Sequence, residues 1–185
     1  NLFIAPASFF QNRYLDTVRG YSAGGIALFT LVTATPASIG LVLGGRLADT
    51  IGRRQLIVVC TPVSTVCLVA SFWVGGPLMW VATFLGGFTA AMAYPAYAVY
   101  RTELFPTGNR GWANGLVTAT ALLGGSVGIV AVGVLLDREV SFGALMAIAG
   151  IGQLIGAALA WKWYPETAHL ELEQINPGDP LVAIE

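Results

Sequence analysis

Nineteen of the 185 side chains carry formal charge, and four of them, Arg46, Asp49, Arg53 and Arg54, fall within the ten residues Gly45 to Arg54. One carboxylate among three guanidinium groups is a set for making and breaking ion pairs. Asp49, just ahead of the next apolar segment, can accept backbone N–H groups at a helix N-terminus or pair with an arginine. Gly45 and Gly52 bracket the stretch and allow close helix approach or a left-handed backbone. The arginines would cost about 2.5–3.5 kcal/mol each at a bilayer centre, but they suit a membrane interface. A topology-fixing turn would account for the same residues.

A second charged group lies further on, in Glu103-Leu104-Phe105-Pro106-Thr107-Gly108-Asn109-Arg110. Pro106 helps terminate one helix and leaves Glu103 and Arg110 at facing helix ends. Both could reach the charges of the first stretch. Nucleophilic or metal chemistry finds little support: the apolar runs hold hydroxyls and two thiols, with no His or carboxylate to activate them. Cys60 and Cys67 lie in one apolar run and read as buried, reduced thiols, and the lone His169 has no partners at metal-ligand spacing. No cofactor, metal or catalytic residue is expected, and the chain is not read as an enzyme.

The elements that must hold these charges are apolar. Hydrophobic residues make up 56% of the chain and charged residues 10%, with a mean hydropathy of +0.73, against roughly 25% charged in a soluble domain. This composition predicts an all-α polytopic membrane protein. The net charge of −1 argues against a nucleic-acid partner. Residues 1–10 are too short to cross a bilayer, which takes roughly 20 residues, and read as the end of a truncated transmembrane helix. Residues 11–22, with Arg13, Asp16 and Arg19, read as a loop outside the hydrocarbon.

Complete spans are expected at residues 23–45, 55–74, 78–100, 112–136 and 143–163, with a polar tail over 164–185. The runs are continuously apolar and about twenty residues long, which fits helices better than barrel strands. Pro36 and Pro95 fall inside spans and predict kinks. Gly40 and Gly44, Gly124 and Gly128, and Gly152 and Gly156 put small residues on single helix faces, where backbones can approach. Arg46, Arg53, Arg54, Arg101, Arg110 and Lys162 lie on one side of this topology, against Arg13, Arg19 and Arg138 on the other. The positive-inside rule then places the charged hairpin and the C-terminal tail in the cytoplasm of a multi-pass protein of the cell membrane.

The pattern Gly45-x-Leu47-Ala48-Asp49-x-x-Gly52-Arg53-Arg54 resembles the signature loop of the major facilitator superfamily, found between the second and third helices and again between the eighth and ninth. The Glu103 to Arg110 segment is similar to the motif between helices ten and eleven of sugar-porter-like members. Tyr164-Pro165-Glu166-Thr167-Ala168 is similar to the Pro-Glu-Thr that follows helix twelve in that branch. The three matches come in family order.

The resemblance implies the C-terminal half of the twelve-helix fold, comprising the end of helix seven and helices eight to twelve, in the sugar-porter-like or metabolite-symporter branch. It departs from the pattern at Thr50, where the family usually has a basic residue. It departs again at Ala93-Tyr94-Pro95-Ala96-Tyr97, which stands where true sugar porters carry Gly-Pro-x-Pro-Trp.

The implied function is transport of a small solute by alternating access, as one half of a secondary transporter. Gly45, Asp49, Gly52, Arg53, Arg54, Glu103, Arg110 and Glu166 are the expected cytoplasmic gate. Thr30, Thr33, Tyr94, Tyr97, Asn114 and Thr118 are candidate substrate-lining residues, for which interhelical packing is an equal alternative. Expected partners are the small-molecule substrate, the lipid bilayer and the missing N-terminal six-helix bundle. A coupled proton would titrate on a carboxylate of that missing half, since no charged group lies well inside a span. The alternatives are a non-transporting receptor or scaffold on the same fold and a membrane-embedded enzyme.

Overall fold

In lipid a backbone must satisfy its own hydrogen bonds, and each apolar run does so as a helix. The structure, a computed structural model, describes residues 1–168 and 170. His169 and the tail beyond 170 lie outside the described residues. Among the described residues the chain forms α1 (Ile4–Thr17), α2 (Ala23–Ala34), α3 (Ala37–Thr50), α4 (Arg53–Ser71), α5 (Gly76–Glu103), α6 (Arg110–Leu136) and α7 (Phe142–Trp163). Helices α2 and α3 together, and α4 to α7 individually, are long and apolar enough to cross a membrane.

Several boundaries differ from the sequence reading. Residues 11–17, read as loop, continue α1; Arg13 and Asp16 are exposed there, so the helix keeps its apolar side packed and its charges solvated. The first complete span is broken at Thr35 and Pro36 into α2 and α3. Proline supplies no N–H, and the amides of Ser38 and Ile39 turn instead to the carbonyls of Thr35 and Pro36. Helix α3 then runs on to Thr50, so Gly45, Arg46 and Asp49 are helical and the turn shrinks to Ile51 and Gly52. Pro95 sits within one continuous helix, α5, and Pro62 occupies the interior of α4.

Helix α5 is the most extensively packed, lying against α4, α3 and α2, while α4 also lies on α7 and α1 on α6. Gly40 and Gly44 do face a neighbouring backbone. A Cβ on Gly40 would meet Phe88 O at 2.8 Å, and one on Gly44 would fall on the Met92 backbone. Gly128 meets Leu2 in the same way, whereas Gly124 and Gly156 have open space. On α7 the close approach belongs to Gly143 against Trp73 and Gly150 against Thr65.

The buried residues form two clusters. One is rich in aromatics and large aliphatics, with Phe3, Phe10, Tyr14, Phe29, Phe72, Met79 and Met146. The other is built largely from small residues: Ala48, Ala93, Ala96 and Ala160, with Leu56, Ile57, Cys60 and Tyr100. Cys60 is buried and Cys67 partly buried, and neither is disulfide-bonded.

Candidate functional site: the charged end of helix α4

Helices α2 and α7 begin on serines that cap them: Ser22 Oγ accepts from the Gly25 amide and Ser141 Oγ from the Ala144 amide. Helix α4 begins on Gly52, which has no side chain to do this. Its cap comes from the far end of the chain. Glu166 Oε1 accepts the Arg53 N–H at 2.9 Å, and Oε2 accepts the Arg54 N–H at 3.1 Å. The carboxylate thus sits on the positive end of the α4 dipole, where an anion is most stabilised. The Ala168 N–H donates to Glu166 Oε1 at 3.1 Å and holds the carboxylate in place.

Glycine at 52 is required twice over. Its φ of +117° belongs to a region that side-chain-bearing residues rarely enter. A Cβ would also stand 2.6 Å from Glu166 Oε2.

Beside the cap, Arg53 Nη2 lies 2.9 Å from Glu103 Oε1, with the two side chains only 13% and 14% exposed. Arg53 Nη1 donates to Thr167 Oγ1 at 3.5 Å, and the Arg54 guanidinium donates to the Trp161 carbonyl. Tyr100, one helical turn before Glu103, donates to the Pro165 carbonyl at 2.7 Å and packs its ring edge-on against Tyr164. Residues 161–167 are therefore fastened to the start of α4 and the end of α5 at several points.

The structure brings together Gly52, Arg53, Arg54, Glu103 and Glu166 from the sequence-predicted gate. Asp49 joins them from the last turn of α3: it is 72% exposed, pairs with Arg53 Nη2 at 3.6 Å and does not cap α4. Two others fall elsewhere. Gly45 has open space around it, and the close approach is made by its neighbour Gly44. Arg110 opens α6, and its Nε is buried with no hydrogen-bond partner among the described residues. The sequence reading gave no role to Tyr100 or Trp161 and named Thr167 only within the Tyr164 to Ala168 match. Tyr100 precedes Glu103 by three residues, so helical spacing was the available signal.

The candidate lining residues differ in their surroundings. Thr30, Tyr94, Asn114 and Thr118 are exposed. Thr33 is buried and donates to the Phe29 carbonyl of its own helix. Tyr97 shares a 2.9 Å hydroxyl hydrogen bond with Thr61, joining α5 to α4. Among the described residues no group of three or more His, Cys, Asp or Glu could hold a metal ion.

The opposite end of α4 carries a second fastening. Tyr14 donates to the Phe72 carbonyl at 3.0 Å, and Arg19 donates through Nε to the Tyr14 hydroxyl at 2.7 Å and through Nη2 to the Val74 carbonyl. A guanidinium there complements the negative end of the helix dipole. Arg13 and Arg19 were read as a loop's solvated charges. Arg13 is exposed, whereas Arg19 is a helix-end ligand.

Helices of membrane-spanning length and composition, with ionic contacts gathered at their ends, define a multi-pass membrane protein. The chain belongs to the Major Facilitator Superfamily, whose family model matches residues 3–183. It is 25% identical over 177 residues to the hexuronate transporter of Escherichia coli (strain K12), an alignment covering 90% of this chain and 41% of that protein. It is 30% identical over 141 residues to the fosmidomycin resistance protein of the same organism, covering 74% and 33% respectively. An MFS-type transporter of Bacillus subtilis (strain 168), YfnC, is 32% identical over 112 residues, or 60% of this chain and 27% of that protein. The chain spans about two-fifths of the length of the hexuronate transporter it matches.

Proposed function

We propose that this chain is the C-terminal bundle of a secondary transporter of the sugar-porter-like or metabolite-symporter branch. In this reading α1 is the end of helix seven, α2 with α3 is helix eight, and α4 to α7 are helices nine to twelve. The bundle rocks against an N-terminal six-helix partner in the cell membrane, with the Glu166 end in the cytoplasm, and carries a small solute by alternating access.

The observation that carries the reading is Glu166 seated on the start of α4 beside the Arg53–Glu103 pair. With the Asp49–Arg53 pair, these contacts join the ends of α3, α5 and α7 to the start of α4 through groups that water can replace when the ends separate, as a latch requires. The latch holds one conformation, so neutralising it shifts the conformational equilibrium more than it alters substrate affinity.

The test uses the full-length chain in proteoliposomes. Arg53→Gln and Glu103→Gln should each change the transport rate and the inward-versus-outward accessibility of engineered cysteines, with Cys60 and Cys67 replaced beforehand. If both variants keep wild-type rate and accessibility, the latch is wrong. Kinship to the hexuronate transporter supports a hexuronate-like solute, and kinship to the fosmidomycin resistance protein supports a fosmidomycin-like one. Counterflow of labelled hexuronate, compared with fosmidomycin efflux from loaded vesicles, separates the two. Binding without movement of either would favour a receptor on the same fold.

A further inference from the structure

Helices α4 and α7, both long and apolar enough to cross a membrane, leave a groove of about 430 Å³ between them. Thr65, Val66, Val69 and Trp73 border it on one side, Ala147 and Leu154 on the other. Glycines on α7 set its floor. A Cβ on Gly150 would stand 3.1 Å from Thr65 Cγ2 and 3.2 Å from Val69 Cγ2, so the two helices touch there. Beyond the end of α4 the Trp73 ring rests on Gly143, where a Cβ would stand 2.7 Å away, and it bridges the two helices at that end.

The chemistry of the walls decides what can fill the groove. By volume it would take on the order of ten waters at about 30 Å³ each, and every one would need two to four polar partners. The polar side-chain atoms bordering it are the Thr65 hydroxyl and the Trp73 indole N–H. The hydroxyl already donates to the Thr61 carbonyl at 2.8 Å. Water would therefore be poorly held, and a polar solute would lose its hydration without replacement.

Position narrows the choice further. Helix α4 starts at the charged Arg53 end and finishes at Ser71, so Trp73 stands at the opposite membrane surface. It is 63% exposed, and tryptophan is the residue that settles at membrane–water interfaces. From Trp73 back to Thr65 is roughly 12 Å along a helix, most of one half of a hydrocarbon core about 30 Å thick. The groove thus runs from one surface towards the midplane, parallel to the helices. A lipid tail of that leaflet has this depth and this direction.

We propose that the α4–α7 groove is a binding site for one acyl chain of a membrane phospholipid. The chain enters beside Trp73 and lies along Val66, Val69 and Leu154. It fills the space left where Gly150 draws the helix backbones together and no large side chain follows.

The test compares residues of like exposure. Val66 borders the groove at 59% exposed, whereas Ile148 of α7 and Val130 of α6, both 64% exposed, do not. The full-length chain is placed in nanodiscs of phosphatidylcholine bearing a mid-chain diazirine, illuminated, and its adducts are mapped by peptide mass spectrometry. Val66 should be labelled at least threefold more than Ile148 and Val130. Equal labelling means ordinary bilayer contact and overturns the proposal. No labelling at Val66 means that protein, the other bundle or a second copy, covers the groove, and overturns it too.

Ala147→Phe puts a ring into the groove and should bring Val66 down to the level of Ile148. Val66 labelling unchanged in that variant overturns the proposal. Should Ala147→Phe fail to fold, Ala70→Leu, which fills the groove from the α4 side, takes its place with the same two outcomes.

Discussion

Both ends of helix α4 are completed by side chains from distant parts of the sequence, and they are completed differently. At its start a carboxylate, Glu166, meets two amides, and an ion pair sits alongside among alanines. At its exit a guanidinium and a phenol, Arg19 and Tyr14, meet two carbonyls among aromatic rings: Tyr14 packs on Phe72 and Phe142, and Tyr21 and Phe29 pack on Trp80. Each end satisfies the helix dipole with the correct sign. The surroundings set how readily each end can part. Aromatic side chains bury about 150–250 Å² apiece, so separating the Arg19 end exposes far more apolar surface than separating the alanine-lined one. In the proposed latch, the Arg53 end is the one that opens and re-forms, and the Arg19 end the one that stays shut.

The largest effect should come from the ion pair. Arg53→Ala leaves a mostly buried Glu103 without its guanidinium and is expected to destabilise the bundle by about 3–5 kcal/mol in equilibrium unfolding, while the double variant Arg53→Ala/Glu103→Ala loses less than Arg53→Ala alone. A double variant worse than the single would mean that Arg53 acts through packing. At the other end Arg19→Met removes a charged donor and is expected to cost about 2 kcal/mol, with no change in the accessibility of the Arg53 end. Glu166→Ala comes next, at about 1 kcal/mol for a lost cap. Its sharper signature is faster amide hydrogen exchange at Arg53 and Arg54 with none at Phe72. Because α4 is roughly 28 Å long, Arg19→Met and Glu166→Ala should add within about 0.5 kcal/mol; strong coupling would show that the two ends work as one device. Thr61→Val, which removes the hydroxyl pair with Tyr97 midway along α4, should cost only about 0.6 kcal/mol.

The spans were legible because continuous apolar runs about twenty residues long leave few alternatives in lipid, and the Arg53–Glu103 pair because both groups lie at helix ends on one side. The continuation of α1 past Gln11 was not, since a helix whose charges reach water looks in sequence like a polar loop. Of the two partners the sequence allowed Asp49, backbone N–H groups or an arginine, the structure has the arginine, Arg53. The chain rises through α3 right up to Thr50 and leaves Asp49 on the preceding helix, while Glu166, more than a hundred residues away, takes the cap. Arg19 escaped for the same reason: its partners, the carbonyls of Phe72 and Val74, carry no mark in a sequence.

The distance along the chain between Gly52 and Glu166 has a consequence in time. At roughly 5–20 residues per second of synthesis, the start of α4 exists for on the order of 5–20 s before the carboxylate that finishes it leaves the ribosome. During that interval the Arg53 and Arg54 amides must be met by water at the membrane surface, and Gly52 holds open the place that Glu166 will take. A ribosome stalled before residue 166 should therefore present α4 with its Arg53 end still exchanging freely, and release of the last helix should be the event that closes it.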